Sequence, residues 1–108
     1  MRTYLGEFEQ LLLFALIQLD DDAYGSRIRR TIETRTGRTV SPGAIYTALD
    51  RLESRGLVTS TLGEPTARRG GKRKRYYRIE PAGADLLRRS HDALARMARG
   101  FKPKLEPR

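Results

Sequence analysis

The pair Ser41-Pro42 is the strongest local constraint in the chain, since it marks where a helix must begin. A serine hydroxyl accepts hydrogen bonds from the free amides of a helix start, and proline at the first helical position loses nothing by lacking an N–H. The helix opened there runs to about Arg55 and stops at Gly56. Ile45, Ala48, Leu49 and Leu52 recur at spacings of three and four, so they form one apolar stripe. The opposite face carries Gly43, Thr47, Asp50 and Ser54, with Tyr46 and Arg51 on its flanks. A face this small and polar, with no wall of long charges, suits a helix that enters a groove about 12 Å wide. An ordinary amphipathic helix with a solvated outer face fits the same pattern.

Two helices precede it. Phe8, Leu11, Leu12, Ala15, Leu16 and Leu19 follow helical spacing, and Leu13, Phe14 and Ile17 add apolar surface on another side. A helix greasy on two sides needs two partners, one in its own domain and one in a second subunit. Asp20-Asp21-Asp22 ends this helix and offers Asp22 as N-cap of the next, which runs to about Thr36 with Gly37 as its C-terminal stop. In that second helix Gly25, Ile28 and Ile32 face inward, and Arg27, Arg29 and Arg30 face out.

Two β-rich runs follow, Val58 to Leu62 and Lys74 to Ile79, joined by a connection that contains Pro65 and Gly70-Gly71. Val58 and Leu62 share one strand face, as do Tyr77 and Ile79. Strand alternation puts one of Tyr76 and Tyr77 in the core and turns its neighbour out. Pro81 opens a last helix in which Leu87, Leu94 and Phe101 recur at sevens, with His91, Ala98 and Leu105 interleaved four residues later. This is a short heptad seam. Gly100 and Pro103 weaken its end, so the helix is expected to fail beyond about Arg99. The element order is helix, helix, helix, strand, strand, helix: a mainly α chain with one small β-hairpin.

Charge selects the partner. The 108 residues carry 22 Lys and Arg against 13 Asp and Glu, a formal net charge of +9. Such a balance favours a polyanion. It is also unevenly spread: Met1 to Asp22 has one Arg and five acids, whereas Arg68 to Arg78 has seven basic residues and no acid. A short hairpin gains nothing by crowding like charges. Arg68, Arg69, Lys72, Arg73, Lys74 and Arg75 are therefore read as phosphate contacts on a tip that moves in the free protein and orders on a DNA backbone; a merely solvated basic loop is the plainer alternative. The richest apolar run, Leu11 to Leu19, is far short of the roughly 18 residues a membrane span needs and contains Gln18. No signal-peptide pattern opens the chain, so a cytoplasmic location is the expectation. With no cysteine and one histidine there is neither a disulfide framework nor the ligand set of a metal site, and no cofactor is expected.

The stretch Ser41-Pro42-Gly43-Ala44-Ile45-Tyr46-Thr47-Ala48-Leu49-Asp50-Arg51-Leu52-Glu53, followed by Gly56-Leu57-Val58, resembles the signature of PadR-type transcriptional regulators. Tyr24-Gly25, the Lys74 to Ile79 strand and Pro81-Ala82-Gly83 match in the same order, so the resemblance covers roughly Leu5 to Leu94. One helix after the hairpin resembles the short subfamily without a separate C-terminal domain. The resemblance implies a winged helix-turn-helix over residues 1–80, with residues 81–108 as a dimerisation helix and tail of the same compact unit. It further implies a homodimer, joined through the first and last helices, that binds double-stranded DNA and usually represses a nearby gene in response to a small molecule or stress. Some short members sense flat aromatic drugs between tryptophans. This chain has no Trp, which counts against that mode here.

On these grounds Ser41, Pro42, Gly43, Tyr46, Thr47 and Arg51, with the six basic residues of the hairpin, are the expected DNA contacts. Leu13, Phe14, Ile17, Leu87, His91, Leu94 and Ala98 are the expected dimer interface, and a small apolar effector could enter at its centre. Two other classes use the same residues. A nonspecific nucleic-acid-binding module predicts no preferred site, because phosphate contacts carry no sequence information. A protein-interaction module on the same fold predicts indifference to DNA. Enzyme chemistry finds no support: Gly70-Gly71-Lys72 lacks P-loop spacing, and His91 has no nucleophile elbow or third orienting residue with it.

Overall fold

Leu12, Leu13, Ile28, Ile45, Leu49 and Leu52 lose essentially all contact with solvent, and the fold is the arrangement of helices that brings these six together. The computed structural model describes residues 4–64 and 73–101. Helix α1 spans Glu7–Leu19, α2 Gly25–Thr36, α3 Pro42–Ser54 and α4 Pro81–Ala98, and strands β1 Val58–Leu62 and β2 Arg75–Ile79 form an antiparallel hairpin between α3 and α4. Val58 pairs with Ile79 and Ser60 with Tyr77 in its register. The element order is the one that the helical and alternating patterns predicted, and the arrangement is the winged helix-turn-helix that the resemblance implied.

Helix α1 is the hub, packed against α2, α3, α4 and β2 at once. That position overturns one expectation. Leu13 and Leu87, read as facing a second subunit, are 0% and 3% exposed and lie in the protomer's own core. Helix α1 has two greasy sides because its neighbours within the chain surround it. Glu9, on the same helix, is also buried. A buried carboxylate is costly unless paired. Here it accepts from the Gly6 amide at 2.9 Å, at the helix end where the dipole favours an anion, and lies 3.5 Å from the Arg55 guanidinium.

The acidic turn also departs from expectation. Asp20–Asp22 form a single 3-10 turn, and α2 is preceded by Tyr24 rather than capped by Asp22. Ala23 is fully buried, its carbonyl accepts from the Tyr77 amide at 2.9 Å, and Tyr24 bridges to Tyr76. The chain must stay extended here to give β2 a second neighbour beside β1, so the helix cannot start until Gly25. Asp22 instead lies 3.4 Å from Arg27.

Helix α4 divides into two parts. Gly83, Leu86, Leu87 and Ser90 are buried, and the Ser90 hydroxyl accepts from the Leu5 amide at 2.9 Å, tying α4 to the approach of α1. Farther along, Leu94, Met97 and Phe101 are 63%, 81% and 51% exposed at helical spacing. The helix ends at Ala98, close to the expected limit. Leu105 lies outside the described residues.

Gly83 is where α4 meets the α3–β1 loop. A methyl group there would lie 2.2 Å from the Leu57 carbonyl oxygen, whose own partner is the Glu80 amide at 2.9 Å. Backbone cannot yield as a flexible side chain does. Gly83→Ala is expected to cost about 1–3 kcal/mol in urea unfolding, as overpacking does. An unchanged midpoint would mean that α4 does not approach this loop so closely.

Candidate nucleic-acid interface

The turn between α2 and α3 is anchored to α2 at Val40. Val40 is buried, its amide donates to a Glu33 carboxylate oxygen at 2.8 Å, and its carbonyl accepts from Arg29 Nε at 2.6 Å. Arg29 and Glu33, one helical turn apart on α2, also approach within 3.5 Å of each other. Arg29 is thus turned along α2 toward the loop, not outward like Arg30. The pull of Val40 into the core brings it within reach. The loop enters from Gly37, at φ 76, a left-handed conformation that glycine adopts without strain. Ser41 follows the clamped valine, and its Oγ accepts from the Ala44 amide at 3.1 Å, so the first turn of α3 is fixed to α2 by an unbroken chain of bonds.

From that start α3 presents its other side. Ser41, Pro42, Gly43, Tyr46, Thr47, Asp50 and Arg51 are all exposed, while Ile45, Leu49 and Leu52 are buried. Nothing lies within 4 Å of a side-chain position at Gly43. Tyr46 is the exception to a clear outer face. A methyl group at Gly25 would lie 2.2 Å from the Tyr46 hydroxyl, so the ring lies across the start of α2 and Gly25 is the residue that permits it.

The outer end of the hairpin, which is the root of its connecting loop where Leu62 pairs with Arg75, is held by aromatic rings. Lys74 Nζ lies 4.0 Å above the Tyr24 ring, and Tyr24 meets Tyr76 edge-on at 5.6 Å. Gly63 leaves room for the Tyr76 ring, which a methyl group at that position would meet at 2.6 Å. Tyr77 turns the other way and is buried, as strand alternation required. Burial pushes its phenol above the usual value, and the nearby Asp50 carboxylate adds to this, so it stays neutral under α3. Leu62, which shares a face with Val58, is 51% exposed because the hairpin outruns the core there.

The expected basic contacts fare unequally. Arg73, Lys74 and Arg75 are exposed at the root, but Arg75 donates to Ser60 Oγ at 3.1 Å, and Ser60 in turn donates to Glu53 at 2.9 Å. Arg75 is thereby tied to α3. Arg68, Arg69 and Lys72 lie outside the described residues. Of the expected dimer contacts, Ile17 and Leu94 are exposed, and Phe14 is half-buried with its ring edge-on to His91 at 5.6 Å. On α4, Asp85 bonds Arg89 and Arg88 at 2.9 and 2.7 Å, contacts that hold its carboxyl below the usual range. The sequence reading passed over the Val40 clamp and the Lys74–Tyr24 contact. The i, i+4 spacing of Arg29 and Glu33 was a visible hint of the first; only the fold reveals the second.

Residues 13–89 match the PadR-like transcriptional regulator family. An uncharacterised 37.1 kDa protein in transposon TN4556 of Streptomyces fradiae is 36% identical over 98 residues, covering 91% of this chain and 25% of that protein, so the chain spans a quarter of this relative's length. The transcriptional regulator Rv3488 of Mycobacterium tuberculosis is 35% identical over 80 residues, 74% of this chain and 70% of its own. A PadR family transcription regulator from Clostridium difficile R20291 superposes with a TM-score of 0.76 at 25% identity, over 94% of this chain and 100% of that one. A transcriptional regulator from Clostridium thermocellum gives 0.73 at 26%, over 91% and 89%.

The clamp makes a local prediction. Glu33→Ala strips the Val40 amide of its acceptor, and leaving a buried donor unsatisfied costs about 1–3 kcal/mol. Amide exchange at Val40 should accelerate about tenfold or more, while exchange in the middle of α1 rises only with global stability. Equal acceleration at both places would show that Glu33 merely stabilises the whole protein.

Proposed function

The chain belongs to the PadR-like family of transcriptional regulators, and we propose from that premise that it represses transcription as a homodimer bound to a palindromic operator. The observation that carries this reading is the meeting of two features at one place. Helix α3 turns a small polar face outward from a clamped start, and its Tyr46 lines a common cleft with Arg73, Lys74 and Arg75 of the hairpin root. Helix α3 enters the major groove, where Thr47 and the flanking Tyr46 and Arg51 reach base edges or phosphates. Ser41, Pro42 and Gly43 bring the helix N-terminus against the backbone. Asp50 accepts from a cytosine amine or rejects wrong sites. The hairpin is the wing, and Arg68, Arg69 and Lys72 extend its phosphate contacts.

The dimer uses what the protomer leaves uncovered. Phe14 and Ile17 of α1 and His91, Leu94 and Ala98 of α4 are joined by Met97 and Phe101, and a soluble regulator does not leave such a stripe to water. Residues 1–80 then form the DNA-binding part, and residues 81–108 the dimerisation helix and tail, one unit because α4 begins inside the core. A small apolar effector would bind beside this seam. A cleft of about 220 Å³ adjoins it, lined by Leu11, Phe14, Ala15 and Ile32 together with the polar Gln18, Thr31, Arg35 and Thr36. That is below the roughly 300–1,000 Å³ of ordinary ligand sites, so the second protomer would complete it.

Operator selection from random duplex DNA tests the reading. It is expected to yield an inverted repeat with half-sites about one helical turn apart. Thr47→Glu should abolish the preference for that site by placing a carboxylate among phosphates, with little change in thermal stability because Thr47 is exposed. Leu94→Glu should sediment as a monomer at micromolar concentration and lose the operator. A Thr47→Glu protein that held the site as well as the parent would move the reading face elsewhere; a selected site without symmetry would exclude the dimer.

A further inference from the structure

Two clefts flank the hairpin root, and their charges are opposite. One, of about 510 Å³, opens beside Asp20, Asp21 and Asp22 and is walled by Thr59, Thr61 and Arg78 among others. The one cation among its described lining residues, Arg78, is bonded to Asp21 at 2.9 Å. The other, of about 380 Å³, lies between Tyr24, Gly25 and Ser26 at the start of α2, Tyr46 of α3 and the strand ends at Leu62 and Arg73 to Arg75. Among the described residues it is lined by three cations and no acid. A duplex laid against α3 meets the cationic side and is repelled from the acidic one.

We propose that the cationic cleft seats one backbone phosphate of the DNA, with the Tyr46 hydroxyl and the Lys74 ammonium as its donors; this rests on the reading of the protein as a DNA-binding regulator. Both donors are placed before any ligand arrives. The Tyr46 ring is laid across the start of α2 by the absence of a side chain at Gly25, and among the described residues its hydroxyl takes no hydrogen bond. Lys74 stands 4.0 Å above the Tyr24 ring, which Tyr76 braces from its edge. A ring face attracts an ammonium but accepts none of its three N–H bonds in the way an oxygen does. Those donors suit an anion with several acceptor oxygens. The start of α2 has no side-chain cap, so its free amides add to the positive field.

A phosphodiester fits better than a free anion. The cleft opens between the outer face of α3 and the wing, so a strand leaving the major groove beside Thr47 passes over it. One phosphate held there sets the distance between helix and wing along the backbone. Because the contact is to phosphate, it positions the protein without choosing a base.

Single methylphosphonate linkages, placed one at a time along both strands of the selected operator, remove one charge each. Wild type is expected to lose about tenfold or more in affinity at one linkage per half-site, the scale of a charge-assisted hydrogen bond. Tyr46→Phe keeps the ring over Gly25 and should melt as wild type does, yet lose several-fold on unmodified duplex. At the sensitive linkage the two losses should not add, and Lys74→Gln, on an exposed side chain, should show the same coupling there. Losses that add at every linkage for both variants would overturn the proposal while leaving operator binding intact. So would inorganic phosphate competing at millimolar concentration with no linkage singled out, which would make the cleft a free-anion site. A wild type that binds no duplex would overturn this seat and the regulator reading together.

Discussion

Both hydrogen-bonding groups of one buried valine are held by two side chains of the preceding helix, and the geometry of the surface proposed to face DNA depends on that hold. Arg29 and Glu33 are each partly exposed, at 38% and 29% of the side chain, so their attraction to one another counts for little. Their bonds to Val40 are different. A buried peptide group left without partners costs about 1–3 kcal/mol, and Val40 offers no alternative ones. Since Ser41 is the next residue and caps α3, the clamp sets where α3 begins and which way its outer face turns. Helix α1 supplies the other half of the constraint, because its contacts with α2, α3, α4 and β2 leave α3 no room to roll.

The wing is fixed by a second, separate device. Ala23 and Tyr24 join β2 as a short second neighbour opposite β1, and the Tyr24, Tyr76 and Lys74 stack stiffens the end of the hairpin nearest its tip. Arg75 reaches back through Ser60 to Glu53 of α3. Tyr46 lies where the two devices meet, touching the start of α2 from α3 and facing the wing root. A regulator that must present a helix and a hairpin at a set spacing needs both to be rigid before DNA arrives; ordering them at the moment of binding would subtract from affinity. On the proposed reading, specificity falls to the few small residues on α3, and affinity to the cations around them.

What was legible in the sequence followed from local rules. Ser41-Pro42, Gly37, Gly56 and Pro81 mark helix ends through chemistry that acts within four residues, and all four stand where expected. The alternation of Tyr76 and Tyr77 is equally local. What failed depended on contacts across the chain. Asp22 is a good cap in isolation, but the sheet claims Ala23 and Tyr24 and delays the helix. Leu13 and Leu87 repeat like interface residues, but a helix packed on four neighbours has no spare side at Leu13, and α4 starts within the core. Arg29 looked solvated because its spacing from Glu33 hints only at a pairing, and the position of Val40 beneath them depends on how the loop is drawn into the core. Of the heptad positions of α4, Leu87 is buried within the protomer while Leu94 and Phe101 are exposed, since the periodicity does not say where along the chain one environment gives way to another.

The central claim, that α3 lies in the major groove with its clamped end against the backbone, can be tested by affinity cleavage. The chain has no cysteine, so one introduced at Gly43, where the side-chain position is open, carries an iron chelate at a single defined point. On the selected operator the Gly43→Cys conjugate should cut within each half-site, with fragments staggered toward the 5′ side as major-groove cleavage gives. A conjugate at Arg96 on α4 should leave the duplex uncut. Cleavage from Arg96, or minor-groove stagger from Gly43, would contradict this orientation of the protein on DNA.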